Sequence, residues 1–179
     1  MLVFKTDILD LLVIEPKVFG DKRGWFYETY QAERYSEYGV SPTFVQDNLS
    51  FSKKGTLRGL HIQTPCQGKL VQVIDGEIYD VAVDLRKESP TFGEWYGLLL
   101  SSENKKQFWI PEGFAHGFYV LSDTAIFSYK CTNYYSSEKE QTLMWNDPEL
   151  GISWPIPENG SPILSPKDLN GKPLSFWKS

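Results

Sequence analysis

EIYDVAVDL, residues 77–85, is the stretch that decides the fold. Successive side chains of an extended strand point to opposite faces. The odd positions from Tyr79 to Leu85 are all apolar, whereas the even positions from Ile78 to Asp84 mix apolar and acidic side chains. A pattern with apolar side chains at every second position favours a β-strand with one apolar face.

Similar short runs flank this strand on both sides and are separated by Gly, Pro, Asn and Asp, which end strands and form turns. These runs are VIEPKVF, GWFYETY, KLVQVIDG, WYGLLL, QFWIP, GFYVLS and AIFSYKCTNYY. Residues 31–38 predict one short helix, ended by Gly39 as a left-handed cap. The tail from Pro155 is rich in Pro, Gly and Asn and predicts irregular structure. Many short strands indicate an all-β sandwich or barrel, and a jelly roll is one way to limit exposed sheet edges.

Length and charge limit the possible functions. With 179 residues the chain predicts a single domain, 1–179. The net charge is −5 and no basic run occurs, so we expect no nucleic-acid partner. No apolar stretch approaches the roughly 18 residues of a membrane span, and the apolar N-terminus carries acids and lacks a cleavage site. Cys66 and Cys131 have no metal-type spacing, so we expect two reduced thiols in a cytoplasmic protein.

The two histidines lie in distinctive strings, GTLRGLHIQ around His61 and PEGFAHGF around His116. A histidine in a strand is more often a hydrogen-bonded structural residue than a catalyst. Arg58, three residues before His61, would point to the opposite face of a regular strand, but Gly59 permits a bulge that turns both toward one cavity. Lys69 opens the next strand, so two basic groups near His61 would favour an anionic ligand or an oxyanion.

A metal site is the main alternative for these histidines. Transition-metal sites in β-barrels commonly use a His-x-His pair, but Gln63 stands two residues after His61. Lys69 in the same cavity would repel a cation. We therefore predict no metal and no other cofactor.

Two further segments remain ambiguous from the residues alone. Tyr129 lies in a strand-like run, where a tyrosine is usually part of the core with its hydroxyl at the rim. Lys167 and Asp168 lie side by side in the irregular tail, where the simplest interpretation is a solvated loop. The role of Lys167 and Asp168 depends on whether the tail folds back onto the β-structure.

Ten strings, in order, resemble one family over most of the chain: the dTDP-4-dehydrorhamnose 3,5-epimerases, metal-free cupin enzymes of dTDP-L-rhamnose synthesis. The strings are DxRGxFxE from Asp21, QDNxS from Gln46, LRGLH from Leu57, QGKLV from Gln67, DVAVDLR from Asp80, SPTFG from Ser89, PEGFAHGF from Pro111, YKCTNYY from Tyr129, WNDP from Trp145 and SPKD from Ser165.

The resemblance implies a cupin-type jelly-roll barrel with a few short helices, and a homodimer that exchanges N-terminal strands. It also implies roles: His61 is the general base, Asp168 its partner, Tyr129 the general acid, and Lys69 the group beside the sugar ketone. The remaining matches are to positions that hold the nucleotide sugar, Tyr135 among them near the thymine: Arg23, Phe26, Glu28, Gln46, Asn48, Arg58, His116, Tyr135, Glu140 and Lys167.

The substrate that the resemblance implies explains the need for these groups. A C4 ketone acidifies the protons on C3 and C5, which are axial on the same face of the gluco-configured ring. One imidazole could therefore reach both protons, and an acid on the opposite face would complete each inversion. A 5-epimerase, a 3-epimerase and a 3,4-ketoisomerase of a related nucleotide sugar remain alternatives, as do a non-catalytic sugar-binding cupin and a metal-dependent oxygenase.

Overall fold

The computed structural model describes residues 1–40 and 42–178, and its centre is a pair of β-sheets with a common hydrophobic core. The described residues form thirteen strands and three short helices. The strands are β1 (Leu2–Lys5), β2 (Leu12–Glu15), β3 (Phe19–Asp21), β4 (Gly24–Phe26), β5 (Gln46–Lys53), β6 (Leu57–Gln63), β7 (Lys69–Asp75), β8 (Glu77–Asp84), β9 (Trp95–Ser101), β10 (Gln107–Ile110), β11 (Phe114–Val120), β12 (Thr124–Cys131) and β13 (Glu140–Thr142).

The first sheet has six strands in the order β1-β2-β10-β7-β12-β5, and the second has five in the order β13-β6-β11-β8-β9. Neighbouring strands pair antiparallel in both sheets. Sequence neighbours such as β7 and β8 lie in different sheets, so the chain crosses repeatedly between the layers. This arrangement confirms the predicted all-β jelly roll.

The core between the sheets is built from the inward-facing side chains of both layers. Val71, Phe108 and Phe127 come from the six-stranded sheet, and Ile78 and Phe118 come from the five-stranded sheet. Side chains that alternate along each strand interdigitate between two sheets in this way. The core fixes the two sheets relative to each other and so fixes any site that lies between them.

Strand β8 is buried on both faces, which its sequence pattern did not predict. Val81 and Val83 pack in a second cluster on the outer face, while Ala82 joins the core between the sheets. Asp80 and Asp84 are fully buried as well. The predicted apolar face is therefore present, and the mixed face is also inside the protein.

The predicted helix is present as α1 (Ala32–Ser36), shorter than residues 31–38 because residue 31 is its extended N-cap and residues 37–39 form a turn. The side chain of Gln31 caps its N-terminus by accepting from the backbone N–H of Arg34 at 2.6 Å. Gly39 follows with φ +85°, which confirms the left-handed cap. No helix of residues 1–40 and 42–178 is long and apolar enough to cross a membrane.

The C-terminal tail is irregular, as predicted, apart from two single-turn helices, α2 (Pro166–Leu169) and α3 (Leu174–Trp177). It folds back onto the five-stranded sheet. The backbone N–H of Leu57, at the start of β6, donates to Ile163 O at 3.0 Å, and Leu174 packs in the outer cluster. The tail therefore brings α2 to the strand that carries His61.

Near the N-terminus, β3 and β4 form a separate two-stranded hairpin. Its aromatic side chains face outward: Phe19, Trp25 and Phe26 are 52%, 60% and 65% exposed. Large apolar side chains grouped on one exposed element often mark an interaction surface.

Candidate active site

A cavity of about 690 Å³ is lined by residues of both sheets and of the tail. Eleven of the fourteen residues predicted for the site line it. They are the four proposed catalytic residues His61, Lys69, Tyr129 and Asp168, and the seven proposed binding residues Gln46, Asn48, Arg58, His116, Tyr135, Glu140 and Lys167.

His61 and Asp168 contact each other although 107 residues separate them. The Nε2 atom of His61 lies 2.5 Å from Oδ1 of Asp168, and the Gly59 N–H donates to the same oxygen at 3.3 Å. Ser165 donates to Oδ2 from its hydroxyl at 2.6 Å and from its N–H at 3.3 Å, within a capping box that starts α2. The tail position of Asp168 is thus an ordered part of the cavity wall.

The environment keeps Asp168 ionised. Burial alone would raise the pKa of its carboxyl group, but hydrogen bonds from His61, Ser165 and Gly59 outweigh burial and hold that pKa below its usual value. A carboxylate on one imidazole nitrogen fixes the tautomer and stabilises the imidazolium. Nδ1 of His61 is then the nitrogen that can accept a proton.

A bulge in β6 turns Arg58 and His61 toward the same cavity, which confirms the sequence prediction. His116 pairs with His61, and Phe118 pairs with Arg58. Between these two pairs β6 has one more residue than β11, which is the bulge. Gly59 lies in this bulge with φ +133°, and a Cβ there would lie 2.6 Å from the Cα of Gly117. Only glycine fits this close approach of two backbones.

Glu140 faces the other nitrogen of His61. Its Oε1 lies 3.8 Å from Nδ1, while Oε2 accepts from Lys167 Nζ at 2.6 Å and from the Tyr135 hydroxyl at 3.1 Å. Glu140 begins β13, which pairs with β6, so backbone hydrogen bonds set its position beside His61. His61 therefore has a carboxylate at each ring nitrogen.

Tyr129 and Lys69 come from the six-stranded sheet, whereas His61 belongs to the five-stranded sheet. Burial raises the pKa of Tyr129 to about 12, helped by Cys131 and Glu140, so its hydroxyl stays protonated at neutral pH. Burial lowers the pKa of the Lys69 ammonium, although Cys131 and nearby carboxylates oppose the shift. Tyr129 therefore brings a proton donor, and Lys69 a basic group, to the cavity from the sheet opposite His61.

His116 is also paired with a carboxylate, but deep in the protein. Its Nε2 lies 3.0 Å from each oxygen of Asp80, and its ring stacks on Phe127 with centroids 6.0 Å apart. Burial lowers the pKa of His116, although Asp80 opposes this shift. Sequence reasoning missed Asp80, whose signal was an acid in an otherwise apolar strand.

The polar side chains predicted to bind the nucleotide sugar are held in place by local contacts. Arg58 donates to Ser52 Oγ at 2.9 Å and to the Phe51 carbonyl at 3.2 Å. Gln46 donates to Asn48 Oδ1 at 2.8 Å. The same Gln46 accepts from the Tyr135 N–H at 2.9 Å, which fixes the loop that carries this aromatic ring.

Gln63 supports the same loop, a role that the sequence did not suggest. Its side-chain amide donates to the carbonyl of Tyr134 at 2.9 Å and to that of Pro65 at 3.1 Å, and its Oε1 accepts from the Ser136 N–H at 3.1 Å. Among residues 1–40 and 42–178, no group of three or more His, Cys, Asp or Glu side chains is arranged to hold a metal ion.

Arg23, Phe26 and Glu28 do not line this cavity. Arg23 forms an exposed ion pair with Asp21 at 2.6 Å, and Glu28 pairs with Arg34. Phe26 projects from the exposed hairpin. The fold of one chain therefore brings together the rest of the predicted site without these three.

Known proteins match both the sequence and the structure. The family model described as dTDP-4-dehydrorhamnose 3,5-epimerase matches residues 5–175. A dTDP-4-dehydrorhamnose 3,5-epimerase of Salmonella typhimurium is 58% identical over 171 residues, which cover 94% of this chain and 92% of the relative.

Solved structures agree. A dTDP-6-deoxy-D-glucose-3,5-epimerase from Legionella pneumophila, in complex with dTDP-4-keto-L-rhamnose, has a TM-score of 0.93 and 57% identity, covering 97% of this chain and 92% of its own. A dTDP-4-dehydrorhamnose 3,5-epimerase from Elizabethkingia anophelis has a TM-score of 0.93 and 50% identity, covering 100% and 99%. Because its sequence and its fold both match this family, the chain belongs to the dTDP-4-dehydrorhamnose 3,5-epimerase family.

Proposed function

We propose that this chain is an isomerase that inverts C3 and C5 of dTDP-4-dehydro-6-deoxy-D-glucose and gives dTDP-4-dehydro-L-rhamnose. One observation carries the proposal: an imidazole paired with a carboxylate and a protonated tyrosine line the same cavity from different sheets. An epimerisation needs a base on one face of the sugar ring and an acid on the other.

The first step is the loss of a proton beside the ketone. The Nε2–H of His61 is held by Asp168, so Nδ1 takes the proton from C3 or C5. The C–H bond breaks and its electron pair forms an enolate, whose charge lies largely on the C4 oxygen. Lys69 is the cation assigned to that oxygen, since a group that stabilises such an anion typically contributes about 10²–10³ in rate.

The second step returns a proton to the opposite face. Tyr129 gives its hydroxyl proton to the carbon, which forms the new C–H bond with inverted configuration and leaves a phenolate. The high pKa of Tyr129, about 12, suits a group that must hold its proton until the enolate has formed.

The nucleotide binds along the outer part of the same cavity. Arg58 and Lys167 supply positive charge for the diphosphate in an otherwise acidic protein. Tyr135 is 49% exposed and offers a flat apolar surface for the thymine, while Gln46 and Asn48 offer hydrogen bonds.

We also propose that the chain forms a homodimer, in which the hairpin of one subunit reaches the cavity of the other. The exposed aromatic side chains of the hairpin would then be covered, as would the exposed apolar side chains Leu49 and Phe51 of edge strand β5. In this arrangement Arg23, Phe26 and Glu28 complete the site in trans. Residues 1–179 would act as one domain that contributes to two sites.

Mixing two inactive variants tests this dimer. Arg23→Ala and His61→Ala should each be inactive alone, but co-expressed chains should recover about a quarter of wild-type activity. Half of the dimers are then mixed, and one of their two sites is intact. Two variants of the same cavity, His61→Ala and Tyr129→Phe, are the matched control and should not complement. No recovery in the first mixture would contradict the exchange.

We propose that the enzyme needs no metal or cofactor and works in the cytoplasm, where a charged nucleotide sugar is made and retained. Carboxylates engage Nε2 of both His61 and His116, and Lys69 shares the cavity, which makes a poor set of cation ligands. Activity should persist after exhaustive chelation. Activity that returns only with added Zn, Fe or Mn would contradict this.

Incubation with dTDP-4-dehydro-6-deoxy-D-glucose in D₂O tests the function itself. NMR should show deuterium at both C3 and C5 and the L-rhamno product. Deuterium at one position alone would indicate a monoepimerase, and a C3 ketone would indicate a ketoisomerase. Deuterium at neither position would overturn the proposal.

A further inference from the structure

The proposed double inversion creates a problem of proton balance at His61. Each inversion moves one proton from the sugar to Nδ1 and takes one proton from Tyr129. Before the second centre can react, His61 must lose the first proton, and Tyr129 must regain one from water. The following inference rests on the proposed function.

We propose that Glu140 resets the base: its Oε1 takes the proton from Nδ1 of His61 and passes it to solvent at the cavity mouth. Glu140 is in this sense a positioning and relay residue that acts through His61. The N–H bond of the imidazolium breaks, an O–H bond forms on Glu140, and the resulting carboxylic acid then loses the proton to water.

The geometry favours Glu140 over Asp168 for this step. Asp168 faces the wrong nitrogen, Nε2, and is only 3% exposed. Each of its oxygens already accepts from two donors, supplied by His61, Gly59 and Ser165. Asp168 can stabilise the imidazolium but has no short route to water.

Glu140 differs in each respect. Its Oε1 lies 3.8 Å from Nδ1, about 1 Å beyond a hydrogen bond, so a small rotation closes the gap. Both donors to Glu140, Lys167 and Tyr135, bind the other oxygen, Oε2, which leaves Oε1 for His61. The Glu140 side chain is itself 13% exposed, and these two neighbours are about half exposed, so the carboxylate lies one side chain away from the solvent at the cavity mouth.

Lys167 does not itself take the proton, because its ammonium donates to Oε2 of Glu140 at 2.6 Å. The other basic groups near His61 suit the task less well. Lys69 is assigned to the enolate oxygen and belongs to the other sheet, and the Nε2 of His116 is held by Asp80 away from solvent.

Glu140→Gln tests the relay, because glutamine keeps the size and the hydrogen-bonding oxygen but cannot take a proton. We expect the first inversion to slow less than about tenfold and the second by about a hundredfold or more, the usual range for a lost proton-transfer group. Singly inverted sugar should therefore accumulate in a time course followed by NMR. A role in substrate binding alone would slow both inversions equally and leave the product ratio unchanged, which would overturn the inference.

Matched variants complete the test. Glu140→Asp keeps a carboxylate and should restore most of the double inversion, whereas Lys167→Met should raise KM and slow both inversions alike. If Glu140→Gln does not fold, Glu140→Ala with added formate replaces it, and formate should restore the second inversion selectively. Formate that has no selective effect would contradict the relay. A wild-type enzyme that exchanges neither proton would instead refute the proposed function.

Discussion

Two histidine–carboxylate pairs lie side by side in this protein, and they differ in what surrounds them. His61 and His116 are partners across β6 and β11. The side chain of His61 is 19% exposed, with a carboxylate facing each ring nitrogen. The side chain of His116 is 6% exposed and its Nε2 lies symmetrically between the two oxygens of Asp80.

The difference shows that the same two residue types perform different tasks according to access to solvent. A buried imidazole pays a desolvation cost on gaining a proton, so His116 favours the neutral form and holds its neighbours in place. His61 can accept a proton, since Asp168 and Glu140 both stabilise the charge that results. We therefore expect the pair of His61 and Asp168 to perform the chemistry, and the pair of His116 and Asp80 to stabilise the fold.

The largest expected effect is the loss of the base. His61→Ala should reduce hydrogen exchange at C3 and C5 by about 10²–10⁴, whereas Asp168→Ala should slow both less. The double variant should be no slower than His61→Ala, because the pair acts as a unit. Deuterium incorporation in D₂O measures each rate. If His116→Ala abolished exchange and His61→Ala retained it, His116 would be the base and the assignment would be wrong.

The next largest effect is expected from Tyr129→Phe, in the sheet that faces His61. Without the hydroxyl, His61 can still remove protons, so isotope exchange should persist while inversion falls by about 10²–10³. Loss of deuterium label from C3 and C5, measured beside product formation, separates the two processes. Inversion of both centres at the wild-type rate would mean that another group donates the proton.

The buried pair should show its effect on stability. Asp80→Ala leaves the Nε2–H of His116 without a partner in the core and should lower the free energy of unfolding by about 1–3 kcal/mol. Urea denaturation measures this. Asp80→Asn keeps an acceptor oxygen and is the matched control, with a smaller expected loss. If both variants unfold like the wild type, the pair does not stabilise the fold.

The smallest expected effect is a pH dependence of stability from His116. Its folded pKa is lowered by burial, so between that value and about 6.5 the unfolded chain binds more protons. The contribution of His116 to the free energy of unfolding is complete above about pH 6.5 and is lost as the pH falls below that value. The contribution of Asp168, whose pKa is also lowered, should persist until the pH falls below about 3.8. Unfolding free energies between pH 7.5 and 5 should therefore fall less in His116→Asn than in the wild type; equal slopes would contradict the assignment.

Local structure was largely predictable from the sequence. The alternation in residues 77–85 indicated a strand, Gly39 indicated the end of a helix, and Gly59 indicated a bulge next to His61. Each of these depends on backbone conformation and on neighbours in sequence. The partnership of His61 and Asp168 was expected only from the family resemblance, because no periodicity links residues 107 apart.

The sequence by itself determined most of the strands, the candidate base and acid, and the family, whereas β1, β5 and β13 lie outside the predicted runs. The tertiary structure alone decided that Asp80 lies against His116, that Glu140 faces the second nitrogen of His61, and that Arg23 lies outside the cavity of its own chain. The physical reason is that a local pattern records which side of a strand a residue occupies. What covers that side, and whether a buried acid finds a partner there, depends on how distant strands and the tail are brought together by the fold.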